Sequence, residues 1–238
     1  MKSTALVTTA LLLAIAPTAD AAPLYGTTPV AQSVRFSDYS DTTANGFRTY
    51  DAFTLGVDAS VERVAWIGLW IDLAAPQPAP APGQDVATWD VALHADNGGV
   101  PGTLLSMQSF AVGDVNASYI GTGGFNVGSA YNVNYYSYMV DLDTPVVLST
   151  GTPYWLSVMA RGGTQPQQFA WLGGLGGDGS SYQQFLGPNL TLVSASTVNA
   201  DRAFSLEGTV AVPEPSALLL LGAAACVLRR ARARRSVV

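Results

Sequence analysis

Residues 61–73, Val61-Glu62-Arg63-Val64-Ala65-Trp66-Ile67-Gly68-Leu69-Trp70-Ile71-Asp72-Leu73, decide the fold class. At a period of two, Val64, Trp66, Gly68, Trp70 and Asp72 share one face, and Arg63, Ala65, Ile67, Leu69 and Ile71 the other. Apolar side chains occupy both faces along the middle, which predicts a central β-strand covered on both sides. The same texture recurs on either side of it. Runs rich in Val, Thr, Tyr, Phe and Trp, punctuated by Gly, Pro, Asn and Asp, predict strands over residues 47–55, 61–73, 86–94, 103–112, 135–142, 145–148, 154–160, 169–172 and 203–210. No helical periodicity interrupts them between Ala22 and Ala211.

The punctuation fits hairpins. Asp96-Asn97-Gly98-Gly99 is a strong turn sequence, because Asn and Gly tolerate positive φ. Ser149-Thr150-Gly151-Thr152-Pro153 is a second turn, and residues 74–83 (AAPQPAPAPG) form a stiff Pro/Ala loop between two strands. About nine strands in roughly 190 residues predict an all-β chain folded as a single β-sandwich of jelly-roll type.

Composition narrows the function classes. The 238 residues carry net charge −6, with one Cys and one His. One Cys excludes an internal disulfide framework, and one His excludes a site built on two imidazoles. Residues 22–211 hold five Arg (Arg35, Arg48, Arg63, Arg161, Arg202) against 15 acids, a balance of 5 − 15 = −10. Such a body repels phosphate backbones, so no nucleic-acid partner is expected.

The ends read as targeting devices. Residues 1–21 have the form of a signal peptide: Lys2, an apolar run ALVTTALLLAIA of about 12 residues, the breaker Pro17, and small Ala19 and Ala21 at the −3 and −1 positions of a cleavage site. Residues 212–238 combine Pro213-Glu214-Pro215, an apolar stretch from Ser216 to Leu228, and the cluster Arg229, Arg230, Arg232, Arg234 and Arg235. As a helix that stretch covers roughly 20 Å, short of a bilayer core of roughly 30 Å, and snorkelling arginines make up the difference. The positive cluster places itself in the cytoplasm and the body outside. Domains are therefore expected at 1–21, 22–211 and 212–238.

This tripartite tail resembles the PEP-CTERM sorting signal. The resemblance covers about 27 residues and implies a bacterial exported protein with a C-terminal hydrophobic helix. It further implies that exosortase, a membrane-embedded transpeptidase-like enzyme, removes the tail near Pro213-Glu214-Pro215. The body would be anchored transiently in the inner membrane and then passed to the cell surface or extracellular matrix. Two stretches of the body, residues 89–105 and the later Gly151-Thr152-Pro153-Tyr154-Trp155-Leu156, are similar to a β-sandwich module of other exported bacterial proteins, most of them without assigned activity. Asp201 to Gly208 resembles the last strand that precedes this tail.

Constellations able to carry chemistry are sparse. His94, with Asp90 or Asp96 as orienter, lacks a G-x-S-x-G elbow, so a surface histidine is expected rather than a catalytic one. Asp90 with Asp96, and Asp141 with Asp143, are carboxylate pairs read as solvated residues beside turns. Asp96-Asn97-Gly98-Gly99 and the glycine run 173–179 offer oxygen ligands suited to calcium, but neither matches a calcium loop, so no metal or other cofactor is expected. Trp66, Trp70, Trp89, Trp155 and Trp171 sit inside apolar runs and are expected in the core. With Tyr131, Tyr135, Tyr136 and Tyr138 they could instead form a sugar-stacking platform, and these tyrosines, after a glycine-rich loop at 121–128, are the better candidate for an exposed patch. Cys226 lies in the removable tail and reads as a packing residue. Three functions follow: a non-enzymatic surface or matrix protein, which is the expectation; a module binding the cell's own exopolysaccharide; or an exported glycan hydrolase.

Overall fold

In a computed structural model, the described residues are 21–72, 86–126, 130–162 and 167–211. The signal sequence as far as Asp20, the Pro/Ala loop and the tail from Val212 lie outside them. The strands are β1 (Ala22–Gly26), β2 (Thr28–Phe36), β3 (Asp38–Ser40), β4 (Asn45–Thr54), β5 (Ala59–Asp72), β6 (Thr88–Asp96) and β7 (Pro101–Ala111). They continue as β8 (Asn116–Asn126), β9 (Ala130–Leu148), β10 (Pro153–Arg161), β11 (Gln167–Leu175), β12 (Ser181–Leu186), β13 (Leu192–Val198), β14 (Asp201–Arg202) and β15 (Phe204–Val210). Apart from two single 3-10 turns, Val112–Asp114 and Pro188–Leu190, the regular structure of the described residues is all β, in two sheets.

β5 is the spine of the first sheet. On one side it pairs with β9, which carries β8. On the other it pairs first with β15 and then, from Gly68, with β11. β15 carries β1, and β11 carries β2 and β14. The second sheet runs β13-β12-β4-β3-β10-β6-β7, with β4 also pairing directly with β10. Each pairing is antiparallel except the two-residue β3–β10 ladder.

One core joins the sheets. Val61, Val64, Trp66, Trp70, Tyr138 and Phe169 of the first meet Phe53, Trp89, Val91, Leu93, Leu156 and Val158 of the second. Trp89 is the keystone. Its ring lies edge-on to Phe169 at 4.7 Å, 5.0 Å from Tyr138 and 5.3 Å from Trp66, within the range where aromatic pairs attract beyond their buried area. Two indole N–H groups keep partners in this interior: Trp70 donates to the Tyr138 hydroxyl at 3.0 Å and Trp171 to the Ala203 carbonyl at 2.9 Å. Gly68 lets the two layers close. A Cβ there would stand 2.2 Å from the Phe169 ring, so any side chain would displace that ring from Trp89.

Two-sided cover is observed for residues 61–72, and Leu73 lies outside the described residues. Val61, Val64, Trp66 and Trp70 enter the main core, whereas Leu69 and Ile71, with Ile67 against them, join Val34, Val133, Tyr135, Ala170 and Leu172 in a second cluster on the opposite face. At the other end of the strand Arg63 is only half-buried. It sits between Asp141 of β9 and Glu207 of β15, at 2.5 and 3.0 Å.

All nine expected strands are present, with corrections. Residues 135–142 and 145–148 are parts of a single strand, β9. Pro145 is accommodated because β8 pairs with β9 only as far as Met139, leaving the later residues on a free edge where a missing N–H costs little. Residues 121–126 belong to β8 rather than to a loop: β9 satisfies that backbone even though its glycines offer nothing to pack. β1, β2, β3, β8, β12, β13 and β14 have no counterpart among the expected strands. They are short, polar or at sheet margins, so no apolar alternation marks them.

Candidate binding face on the second sheet

Along β6, Trp89, Val91 and Leu93 point into the core, which turns Asp90, Ala92 and His94 to the opposite face. Register brings Met159 beside Asp90, Ser157 beside Ala92 and Trp155 beside His94. Tyr50 of β4 stands across from Ser157, Tyr182 of β12 across from Tyr50, and Ser109 of β7 across from Asp90. This outer face, which solvent would be expected to bathe, is instead closed. Asp90 is 2 % exposed, Ser157 1 %, Trp155 2 %, Tyr50 3 % and His94 9 %. Rings supply part of the cover: Tyr50 meets His94 edge-on at 5.4 Å and Tyr182 at 6.2 Å, and Tyr182 meets Trp155 at 6.3 Å.

The polar atoms beneath are incompletely satisfied. Asp90 Oδ1 accepts the Ser109 hydroxyl at 2.6 Å. Its Oδ2 lies 3.8 Å from Arg48 Nη2 and 3.7 Å from Arg161 Nη1, attracted by charge but without a hydrogen bond. Arg48 Nε and Nη2, Arg161 Nε, Ser157 Oγ and His94 Nε2 are also buried without a hydrogen-bond partner. His94 Nδ1 sits 3.1 Å from the Gly102 carbonyl, which can only accept, so Nδ1 carries the proton. Burial holds the His94 pKa below the usual value and the neighbouring Arg48 acts in the same direction, so the ring is neutral at pH 7. Nε2 therefore presents a bare lone pair. The face thus combines unused acceptors at Asp90 and His94, unused donors at Arg48 and Arg161, and a hydroxyl that can serve as either.

The other expected residues fall elsewhere. All five Trp are buried, as expected. The tyrosine patch is overturned. Tyr135, Tyr136 and Tyr138 are 8 %, 7 % and 1 % exposed, because β9 is an inner strand over those residues and both of its faces are covered; the Tyr131 side chain lies outside the described residues. His94 is likewise not a surface histidine. Its Nδ1, the atom an orienting carboxylate would hold, is taken by Gly102.

Asp90 is not solvated, and Asp96, at the far end of the same strand, does not converge with it: six residues span about 20 Å, far beyond the separation of a glycosidase pair. Asp141 and Asp143 are exposed on the free-edge portion of β9, and Asp141 is occupied by Arg63.

Both calcium-like loops are spoken for. The Asp96 carboxylate accepts the N–H groups of Gly98 and Gly99 and, at 2.8 Å, the Trp155 indole N–H. Trp155 is the leading cause of its lowered pKa. Gly98 and Gly99 adopt φ of 69° and 87°, the positive values the turn sequence implies. In the glycine run, Asp178 accepts Ser180 N–H, and Asp201 accepts the N–H groups of Gly177 and Gly179. Among the described residues no group of three or more His, Cys, Asp or Glu is disposed to hold a metal.

Ala21 opens the described body, while Ala19, Pro213, Glu214, Pro215 and the arginines from Arg229 to Arg235 lie outside it. No helix among the described residues is long and apolar enough to cross a membrane.

Arg48, Tyr50, Ser157 and Arg161 were not singled out from the sequence. The available signal was an isolated polar residue flanked by large apolar ones inside a strand: Arg48 beside Phe47, Asp90 beside Trp89, Ser157 between Leu156 and Val158. No family model matches the chain, and a search of curated proteins returns no significant relative.

Proposed function

We infer that the protein is an exported bacterial surface or matrix protein, a non-enzymatic β-sandwich delivered through its PEP-CTERM-like tail by exosortase. The observation that carries this reading is the ordered succession Pro213-Glu214-Pro215, apolar stretch and arginine cluster. The body is compatible with it. β1 begins at Ala22 and pairs with β15, Ala22 opposite Gly208, so the first and last strands of the described body are neighbours in one sheet. The strand orders β2-β11-β5-β9 and β4-β10-β6-β7 follow the alternation of a jelly roll, which supports that finer fold assignment. The test is Glu214→Ala in a host that carries exosortase. The variant is expected to stay in the inner membrane at precursor mass; its release at the processed mass would overturn the assignment.

A second reading is exopolysaccharide binding. A row of exposed tryptophans or of Tyr135, Tyr136 and Tyr138 does not carry it, since these are buried. The outer face of the second sheet does not carry it either, because that face is closed. The hydrolase reading has no support from the described carboxylates.

A further inference from the structure

We propose that the open cleft between β2 and the β12–β13 pair binds an acidic sugar residue, with Arg35 holding its carboxylate and Phe47 the apolar side of its ring. This rests on the exopolysaccharide reading and adds a site and a ligand class. At this margin the two layers part. Among the described residues β2 pairs only with β11 of the first sheet, and β13 ends the second sheet and pairs only with β12. The space between them measures about 470 Å³, within the range of roughly 300–1,000 Å³ usual for ligand sites. Residues 34–36 of β2, Phe47 of β4, Gln183 of β12 and residues 196–199 line it.

Register sets the chemistry of the second-sheet wall. Gln183 stands between Thr49 of β4 and Ser196 of β13, and Phe185 between Phe47 and Ser194, so these side chains share one face. That face looks towards β2, because Gln183 Nε2 donates to the Phe36 carbonyl at 2.8 Å and to Thr49 Oγ1 at 3.2 Å. Both amide hydrogens are thereby used, and Gln183 Oε1 is left as an acceptor. Phe36, Phe47 and Phe185 follow one another with ring centroids 6.0 and 5.3 Å apart, and all three are only half-buried. They offer the apolar surface that the C–H side of a pyranose covers. Ser196, Thr197 and Asn199 stand exposed along the rim.

Charge selects the kind of sugar. No lining residue of the cleft is acidic, and β2, β12 and β13 contain no Asp or Glu, in a body that carries −10. Of the five arginines, Arg48, Arg63 and Arg161 lie against carboxylates and Arg202 is fully buried. Arg35 is the one that lines the cleft. It is half-buried, its Nη1 donates to the Val34 carbonyl at 3.0 Å, and no carboxylate among the described residues pairs with it. Its remaining N–H groups form a fork that fits a carboxylate. A uronate brings together what these groups ask for: one carboxylate, several hydroxyls and an apolar ring face.

The test uses the processed protein and isothermal titration with hexagalacturonate and hexamannuronate, with cellohexaose and mannohexaose as neutral arms. It is run at 0.15 M salt, where a screening length of about 8 Å mutes the repulsion between the body and a polyanion. At least one acidic hexasaccharide is expected to bind, and more tightly than either neutral one. Arg35→Gln should weaken that binding about tenfold or more, the worth of a charge-assisted hydrogen bond. Ser196→Trp, at an exposed position on the cleft side of an edge strand, should fill the cleft and abolish binding with the melting temperature unchanged. Ala195→Trp, exposed on the opposite face of the same strand, should bind as the unaltered protein does. Tighter binding of a neutral hexasaccharide, unchanged affinity in Arg35→Gln or Ser196→Trp, or an equal loss in Ala195→Trp would each overturn the site while leaving exopolysaccharide binding itself standing. No binding by any of the four at millimolar concentration would remove both. None of these outcomes bears on Glu214, so the sorting assignment is tested separately.

Discussion

Replacing Asp51 by asparagine should remove a large part of the protein's pH dependence of stability. Asp51 is fully buried on β4. Its Oδ2 accepts the Arg202 backbone N–H at 2.9 Å, and its Oδ1 has no partner. Burial pushes its carboxyl from 3.8 up to about 9, and burial likewise pushes Asp38 from 3.8 up to about 8. Between the unfolded and folded values the native state holds a proton that the unfolded chain has released. The stability associated with these groups is therefore fully present below pH 3.8 and is lost as pH rises towards 8 and 9. Each such proton gives a slope of about 1.4 kcal/mol per pH unit.

The useful window is pH 6.5 to 7.5. His94, whose pKa is lowered by burial, gives a slope of opposite sign that fades above its unfolded value of about 6.5 and is the same in the wild type and the variant. Across that window the two aspartates together predict a fall of about 2.6 kcal/mol, and Asp51→Asn should leave about 1.2 kcal/mol, that of Asp38. The amide oxygen can still accept from Arg202, so the fold is kept. Urea unfolding at pH 6.5, 7.0 and 7.5 reads both slopes. An unchanged slope in the variant would show that Asp51 is ionised in the native state and refute the reasoning.

Gly68→Ala should destabilise the protein by about 1–3 kcal/mol, the range for overpacking, because the new Cβ drives the Phe169 ring away from Trp89; thermal unfolding measures it. Trp89→Ala should cost about 3–5 kcal/mol, since it removes the ring that joins the two sheets, and a loss below about 1 kcal/mol would contradict that role. Asp96→Ala leaves the Trp155 indole N–H and two turn N–H groups without their acceptor and should lower stability by about 1–3 kcal/mol, read by urea titration.

Strands that fill the core were legible because burial imposes a pattern. Residues 61–73 announce both covered faces, and Trp89, Val91 and Leu93 mark the inward side of β6. The hairpin turns were legible for a second reason: Gly98, Gly99 and Gly151 supply the positive φ that the turns need. β8 and β13 were not, because a marginal strand is held by its neighbour's backbone and has no need of apolar alternation. The tyrosines misled for a related reason. A glycine-rich stretch before Tyr135 suggested a loop rim, whereas β8 and β5 flank β9 there and bury it. The polar face was the hardest to see. Arg48, Asp90 and Ser157 read as solvent-side residues of half-buried strands, and local sequence does not tell that Tyr50, Tyr182 and Arg161 close over them. Asp90 and Asp96 do not converge for a simple reason of length, since both lie on one extended strand.

The most direct test of export and sorting is the intact mass of the protein recovered from the surface or medium of an exosortase-bearing host. The account predicts a chain that begins at Ala22 and ends near Pro213-Glu214-Pro215, without the arginine cluster. A recovered chain that still carries Arg229 to Val238, or that begins at Met1, would contradict it.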